Sequence, residues 1–290
     1  MRVGGSSTDH PVLFVFVSDA DDPQLVVKLP SLPVEVADVE READLLSALN
    51  EVPALGVVVP TVADLRLTDD FAVMSQSFVP GVAASQAVNN QNYETIAGSV
   101  TAALTQLARA TTEPRDEVWV RRLVDESLDR LGQTRETKML ELQRLTRISL
   151  EGLKLDTSVC QHRDLGPWNV HLSDTNQVGV IDWGDATMTG VPLCDVLHCL
   201  VHLGLILNDA YEATDRRAAV SNVLDPNTTS GVTITGCLHQ YCEGLGIDGG
   251  QIRRLRILTW LRALVDRPPE QRVGSIYEEL LLAELSAGQS

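Results

Sequence analysis

Near the start of the chain, apolar residues gather into two runs, 12–17 and 24–29, separated by the turn-rich acidic link 18–23. That pattern predicts an antiparallel hairpin with Lys28 near the end of its second strand. Val36, Val39, Ala43, Leu46 and Leu49 then recur at three- and four-residue spacing and predict a helix that also displays Glu40 and Glu42. Past Pro53, the runs 56–59 and 71–79 predict further strands, ending at Pro80 and Gly81. After residue 92 the period lengthens. Ile96, Val100, Ala103, Leu104 and Leu107 mark one helix, and residues 118–131 and 138–153 mark two more with charged outer faces. The change divides the chain into a small mixed lobe, residues 1–80, and a mainly helical lobe, residues 81–290, with a hinge-like connector just before 89–92. Further on, residues 191–207 predict a buried helix and residues 225–236, with Pro226, Asn227 and Gly231, a loop. Residues 251–265 and 272–285 predict closing amphipathic helices interrupted by Pro268 and Pro269.

Composition narrows the class. A chain of 290 residues with 44% hydrophobic content buries a substantial core. Its formal net charge of −17 excludes a nucleic-acid partner, because phosphate binding depends on clustered Lys and Arg. Five cysteines, an odd number, do not form a secreted disulfide framework and point to a reducing cytoplasm. Residues 12–17 are too short for a signal core. The longest apolar region, 191–207, contains Asp195, His198 and His202, which argues for a buried helix over a membrane span. Lysine occurs only at 28, 138 and 154, so a lysine within an apolar strand stands out.

The chemistry concentrates in residues 160–185. Two short apolar runs, 170–172 and 178–181, flank a Ser-Asp-Thr-Asn turn and predict a hairpin. Asp164 and Asn169 lie before and at the start of the first strand, and Asp182 follows the second, so the hairpin gathers all three at one end. Three oxygen-bearing side chains so placed suit a hard cation and a hydroxyl, the two requirements of phosphoryl transfer. Lys28 is either an edge-strand lysine that discourages aggregation or a phosphate ligand held in place by an acid of the following helix. Gly4, Gly5, Ser6 and Ser7 either bring backbone amides to phosphate oxygens or form a disordered start.

His162, Arg163, Asp164, Leu165 and Asn169 match the kinase pattern HRDLxxxxN, and Asp182, Trp183 and Gly184 match DFG. Protein kinases carry Lys two positions after the first Asp, where this chain has Gly166, and no APE element follows the second motif. Instead come Pro167 and Trp168 in the loop, the step from Gly190 through Pro192 to Asp195, and a READLLSAL helix around Glu42. With these the chain resembles the aminoglycoside phosphotransferase and choline kinase superfamily, from Lys28 to the helices past Asp195.

The resemblance implies an α+β, bilobal, protein-kinase-like fold with a small β-rich lobe and a larger helical lobe. It implies that Asp164 orients the acceptor hydroxyl and takes up its proton, and that Asn169 and Asp182 hold magnesium. Lys28 would contact the phosphates of ATP or GTP, Glu42 would fix Lys28, and Ser75, Gln76, Ser77 and Phe78 would follow the nucleobase edge. His162 would brace the catalytic loop, while Asp195 would anchor that loop or cap its helix; the partner of Arg163 stays open. The family's lobe begins with strand, phosphate loop and strand, yet eleven residues precede Val12. Either the first strand is absent or the true start lies upstream, which would weaken the nucleotide grip without touching Asp164, Asn169 or Asp182.

The function so implied is transfer of the terminal phosphoryl group of ATP or GTP to a hydroxyl of a polar metabolite or aminoglycoside-like compound. The alternative is an inactive pseudokinase acting by nucleotide or protein binding. No membrane partner is expected. A cationic acceptor could meet Asp209, Glu212 and Asp215, which could equally be surface. The spacing of Cys194, His198, Cys199 and His202, with Cys237, His239 and Cys242 further on, also fits a zinc site. The helix carrying the first four is apolar all round, however, and there Cys reads as a small core residue.

Overall fold

The computed structural model describes residues 3–4, 12–17, 22–29, 33–68, 71–133, 136–175 and 177–287. The small lobe is one antiparallel sheet with a helix on its face. Its strands are β1 (Val3–Gly4), β2 (Val12–Val15), β3 (Leu25–Lys28), β4 (Val62–Leu67) and β5 (Ala72–Ser77), and their spatial order is β1-β2-β3-β5-β4. Lys28 pairs with Val12 on one side and Met74 on the other, so it sits inside the sheet. Helix α1 (Pro33–Asn50) lays Val39 and Ala43 on Ala72 and Met74, a small core of its own.

Several expectations are corrected here. The sheet does have a strand before β2, two residues long; Gly5, Ser6 and Ser7 lie outside the described residues. Residues 56–59 are not a sheet strand. Val58 instead bridges Gly179, its N–H donating to the Val178 carbonyl and its carbonyl accepting from Val180, both at 2.9 Å. The outer neighbour of β5 is β4, which the hydrophobic pattern hid because a register shift between Val62 and Asp64 breaks its alternation.

The larger lobe opens with β6 (Val82–Ala83), α2 (Ala84–Ala87), α3 (Tyr93–Ala110), β7 (Glu113–Pro114), α4 (Glu117–Gly132) and α5 (Thr137–Leu150). Strand β8 (Thr157–Gln161) pairs with β7 and with β11 (Thr187–Gly190). The sequence did not reveal β8 because Thr157, Ser158 and Gln161 break its apolar run, although all five of its residues are buried. Their polar atoms are satisfied: Ser158 accepts from Arg115 Nε at 2.7 Å, and Gln161 Oε1 from the Val191 N–H at 3.1 Å. The expected hairpin is present as β9 (Val170–Leu172) and β10 (Val178–Val180).

The closing helices are α6 (Cys194–Leu207), α7 (Arg216–Leu224), α8 (Thr229–Leu245), α9 (Ile252–Val265) and α10 (Ile276–Ser286). Helix α6 is buried from Val196 to Leu205 and forms the centre of the main core. The predicted loop 225–236 is mostly helix. Thr228 caps α8 by accepting from the Gly231 N–H at 3.1 Å, and a Cβ on Gly231 would lie 1.9 Å from the Asp225 carbonyl oxygen. The glycine is there for close approach, not for a turn. Among the described residues no helix is long and apolar enough to cross a membrane. The five cysteines are unpaired and buried.

Candidate active site

The loop between β8 and β9 is held from beneath. The half-buried Asp195 carboxylate accepts the backbone N–H of His162 at 2.6 Å and that of Arg163 at 3.1 Å. Of the two roles left open for Asp195, the geometry shows the anchor. Those bonds hold Arg163 in a left-handed conformation, φ 73°. The Arg163 guanidinium pairs with Asp266 at 3.3 Å, which also pairs with Arg130 at 2.7 Å, so the loop is tied to the end of α9. Burial pushes the Asp195 carboxyl up to about 6, against the two N–H groups that favour its charged form.

His162 is fully buried, and burial lowers its pKa, which keeps the ring neutral. Its Nε2–H donates to the Ile181 carbonyl at 2.9 Å, and its ring meets Trp183 edge-on at 4.9 Å. It therefore braces the loop against the end of β10, just before Asp182. The Ile181 N–H in turn donates to the Asn169 carbonyl at 3.0 Å. Asn169 Nδ2 donates to the Asp164 carbonyl at 2.9 Å, which leaves its side-chain oxygen as the end suited to a cation.

Lys28 joins the two lobes. Its Nζ lies 2.7 and 2.9 Å from the Glu42 oxygens and 2.8 Å from Asp182 Oδ1. Burial alone would lower its pKa, but the two carboxylates more than offset that and hold the ammonium charged. Glu42, 3% exposed, also accepts the Trp183 N–H at 3.2 Å, so α1 is fixed to the DWG segment as well as to the sheet. Asp182 has φ 66°, the turn that swings its carboxylate back towards Lys28. Asp164 is pushed up to about 6 by burial and by the negative charges of Asp182 and Asp185. No donor hydrogen-bonds its carboxylate among the described residues.

These groups share a cleft of about 770 Å³ between the lobes. Lys28, Asp164, Asn169 and Asp182 line its middle. Gln76, Ser77 and Phe78 line one end with Val12, Phe14 and Val26. Ser75 is not on that lining; its hydroxyl donates to the Asp64 carbonyl at 3.4 Å. Glu42 reaches the cleft only through Lys28. The other end is walled by Trp168, His202, Tyr211, Arg267, Ile276 and Tyr277. The sequence singled out none of these as acceptor-wall residues. Trp168 was legible within the central motif, but Arg267, in the turn after α9, and Tyr277, on α10, lie a hundred residues further on. A second cavity, about 620 Å³ between α4, the α5–β8 connection and the end of α8, contains none of the site's groups.

Asp209, Glu212 and Asp215 do not line the cleft, and Asp215 caps α7 through the Ala218 N–H at 3.0 Å. His198 Nε2 shares a hydrogen bond with the Tyr277 hydroxyl at 3.1 Å, and His202 shares one with the Tyr211 hydroxyl. Among the described residues no three side chains of His, Cys, Asp or Glu are grouped to hold a metal ion, so the Cys/His spacing on α6 does not make a zinc site. The oxygen atoms of Asn169 and Asp182 instead form a two-residue set of hard donors, suited to magnesium completed by phosphate oxygens and water.

The sequence profile of the phosphotransferase enzyme family matches residues 11–225. A search of curated proteins gives no match. Among solved structures, aminoglycoside phosphotransferase APH(3'')-Id from Streptomyces rimosus superposes with a TM-score of 0.53 at 19% identity, over 97% of this chain and 92% of that one. The same enzyme has been solved with ADP and streptomycin. A thermostable mutant of APH(4)-Ia gives a TM-score of 0.57 at 12% identity, over 99% and 94%. A GDP complex of a mutant aminoglycoside 2'-phosphotransferase-IIIa gives 0.54 at 15%, over 99% and 91%. At these identities the likeness establishes the fold, a kinase-like pair of lobes.

Proposed function

The chain belongs to the phosphotransferase enzyme family, and from that premise we propose that it transfers the terminal phosphoryl group of ATP or GTP to a hydroxyl of a small molecule. The observation that carries this reading is the convergence of Lys28, paired to Glu42 and Asp182, with Asp164 and Asn169 on one cleft. Residues 1–80 act as the nucleotide lobe and residues 81–290 carry the catalytic loop and the acceptor wall. Gln76, Ser77 and Phe78 border the nucleobase, with Ser75 behind them, and Lys28 holds phosphate oxygens while Glu42 keeps it aimed. Asn169 and Asp182 would hold magnesium, which would supply positive charge against the transferring phosphoryl group.

Asp164 accepts a hydrogen bond from the attacking hydroxyl and takes its proton as the new O–P bond forms and the terminal P–O bond breaks, the nucleoside diphosphate leaving with the bridging oxygen. A carboxyl pushed up to about 6 is still ionised at neutral pH and is a better base than an ordinary aspartate. Five buried free cysteines suit a reducing cytoplasm. Because the Streptomyces rimosus neighbour has been solved with streptomycin, an aminoglycoside is the reference acceptor for any panel.

The test is nucleotide turnover across acceptors by wild type and Asp164→Ala, with folding followed by circular dichroism. Turnover should vanish in the variant while its spectrum is kept, and equal turnover by both proteins would refute the assignment. If magnesium nucleotide shifts the melting temperature but no acceptor is phosphorylated, the non-catalytic binding reading takes its place.

A further inference from the structure

The acceptor end of the cleft has its own chemistry. Its wall is Trp168, His202, Tyr211, Arg267, Ile276 and Tyr277, and among the described residues Asp164 and Asp182 at the reacting centre are the carboxylates that line the cleft. Trp168 is 40% exposed, a large ring on the cleft lining that stands edge-on to His202 at 5.4 Å and to His198 at 6.3 Å. A Cβ on Gly166 would lie 2.1 Å from that ring, so the loop's own backbone holds the indole against the wall. The guanidinium of Arg267 sits 4.8 Å over the Tyr277 ring, and its Nε is buried without a hydrogen-bond partner. Among the described residues no carboxylate forms an ion pair with Arg267; Asp266, next to it in the chain, is taken by Arg130 and Arg163. The wall thus offers flat apolar faces and one positive charge.

Resting on the phosphotransferase reading above, we infer that the acceptor is an alcohol carrying a flat unsaturated ring and an anionic group, the ring packing on Trp168 and Tyr211 and the anion meeting Arg267. A polycationic amino sugar would find no carboxylate on this wall and would bring its ammonium groups to an arginine. The net charge of −17 draws cations to the surface at large, but screening over about 8 Å leaves discrimination to the lining itself. Neutral imidazole at His202, lowered well below its ordinary pKa by burial, adds no second cation to the wall.

The experiment compares 3- and 4-(hydroxymethyl)benzoate and phenyllactate with their methyl esters, which keep ring and hydroxyl but lose the charge, and with streptomycin. Binding is read by calorimetry and tryptophan fluorescence, and transfer by ADP release. At least one acid should bind roughly tenfold or more tightly than its ester, the effect of one charge-assisted hydrogen bond. Arg267→Met should erase that difference, and Arg267→Lys should restore part of it. Equal affinity of every acid and its ester, tighter binding of streptomycin than of every acid, or no binding by any compound each overturns the inference. Arg267-dependent binding of an acid with no ADP release in any mixture upholds the ring-and-anion site at Trp168, Tyr211 and Arg267 and refutes the phosphotransfer reading instead.

Discussion

Replacing Asp164 by Asn should make the protein more stable at neutral pH while abolishing transfer. The Asp164 carboxyl is raised from 3.8 to about 6 by burial and by the charges of Asp182 and Asp185. Because the folded chain holds this proton more tightly than the unfolded chain does, ionising Asp164 costs folded-state stability. The cost is absent below pH about 4, develops between about 4 and 6, and is complete above 6. A shift of a little over two units corresponds to about 3 kcal/mol, reduced to about 1.5–3 kcal/mol for a half-buried group that water partly screens. Unfolding entropy of about 2.1 cal/mol/K per residue converts this to a rise of roughly 2–5 °C for a chain of this length. Asn is nearly isosteric with protonated Asp and carries no charge, so it removes the penalty without opening a cavity. The assay is thermal melting of wild type and Asp164→Asn from pH 5 to 8. The difference in melting temperature should be about half its full size at pH 5 and complete by pH 7.5. An equal difference at both ends of the range, or a variant less stable than wild type at pH 7.5, would refute the electrostatic account of Asp164.

Three further outcomes follow from the same geometry. Asp195→Ala removes the acceptor of the His162 and Arg163 N–H groups; denaturant unfolding should show a loss of about 2–4 kcal/mol, and kcat should fall far more than the nucleotide KM rises. Glu42→Gln leaves Lys28 with Asp182 as its one charged partner; stability should drop by about 2–3 kcal/mol in the same assay, and the nucleotide KM should rise several-fold because Lys28 is no longer aimed from α1. Gly166→Ala places a Cβ where the Trp168 ring now packs; the indole should swing into solvent, visible as a red shift in tryptophan emission against a background of buried Trp183 and Trp260.

Much of the site is legible in the chain because its parts are close together in sequence. Asp164, Asn169 and Asp182 fall within one loop and hairpin, and the alternation of β9 and β10 is enough to bring them to one end. Lys28 is legible for a different reason: a lysine among Val26, Val27 and Leu29 in a buried strand requires a counter-charge, and α1 offers two acids within one turn. The resemblance singles out Glu42 over Glu40, and the structure buries Glu42 beside Val39, Ala43 and Leu46 while Glu40 is exposed. Two of the strands that were missed, β4 and β8, lack local periodicity. One is an edge with a bulge, and the other is buried on every residue, so its polar side chains find partners instead of alternating outward.

Spacing within a few tens of residues marks the loop and hairpin that carry the central carboxylates, and the motifs on them carry the resemblance that implies the family and the two-lobed kinase-like fold. Only the tertiary structure decided the anchor role of Asp195, the pairing of Arg163 with Asp266, and the aromatic wall with Arg267 in place of the acidic residues 209, 212 and 215. The physical reason is range. Backbone periodicity fixes which residues share a strand or helix face. Which faces then meet across a hundred residues is set by how α6, α9 and α10 pack around one common core, and no local pattern records that.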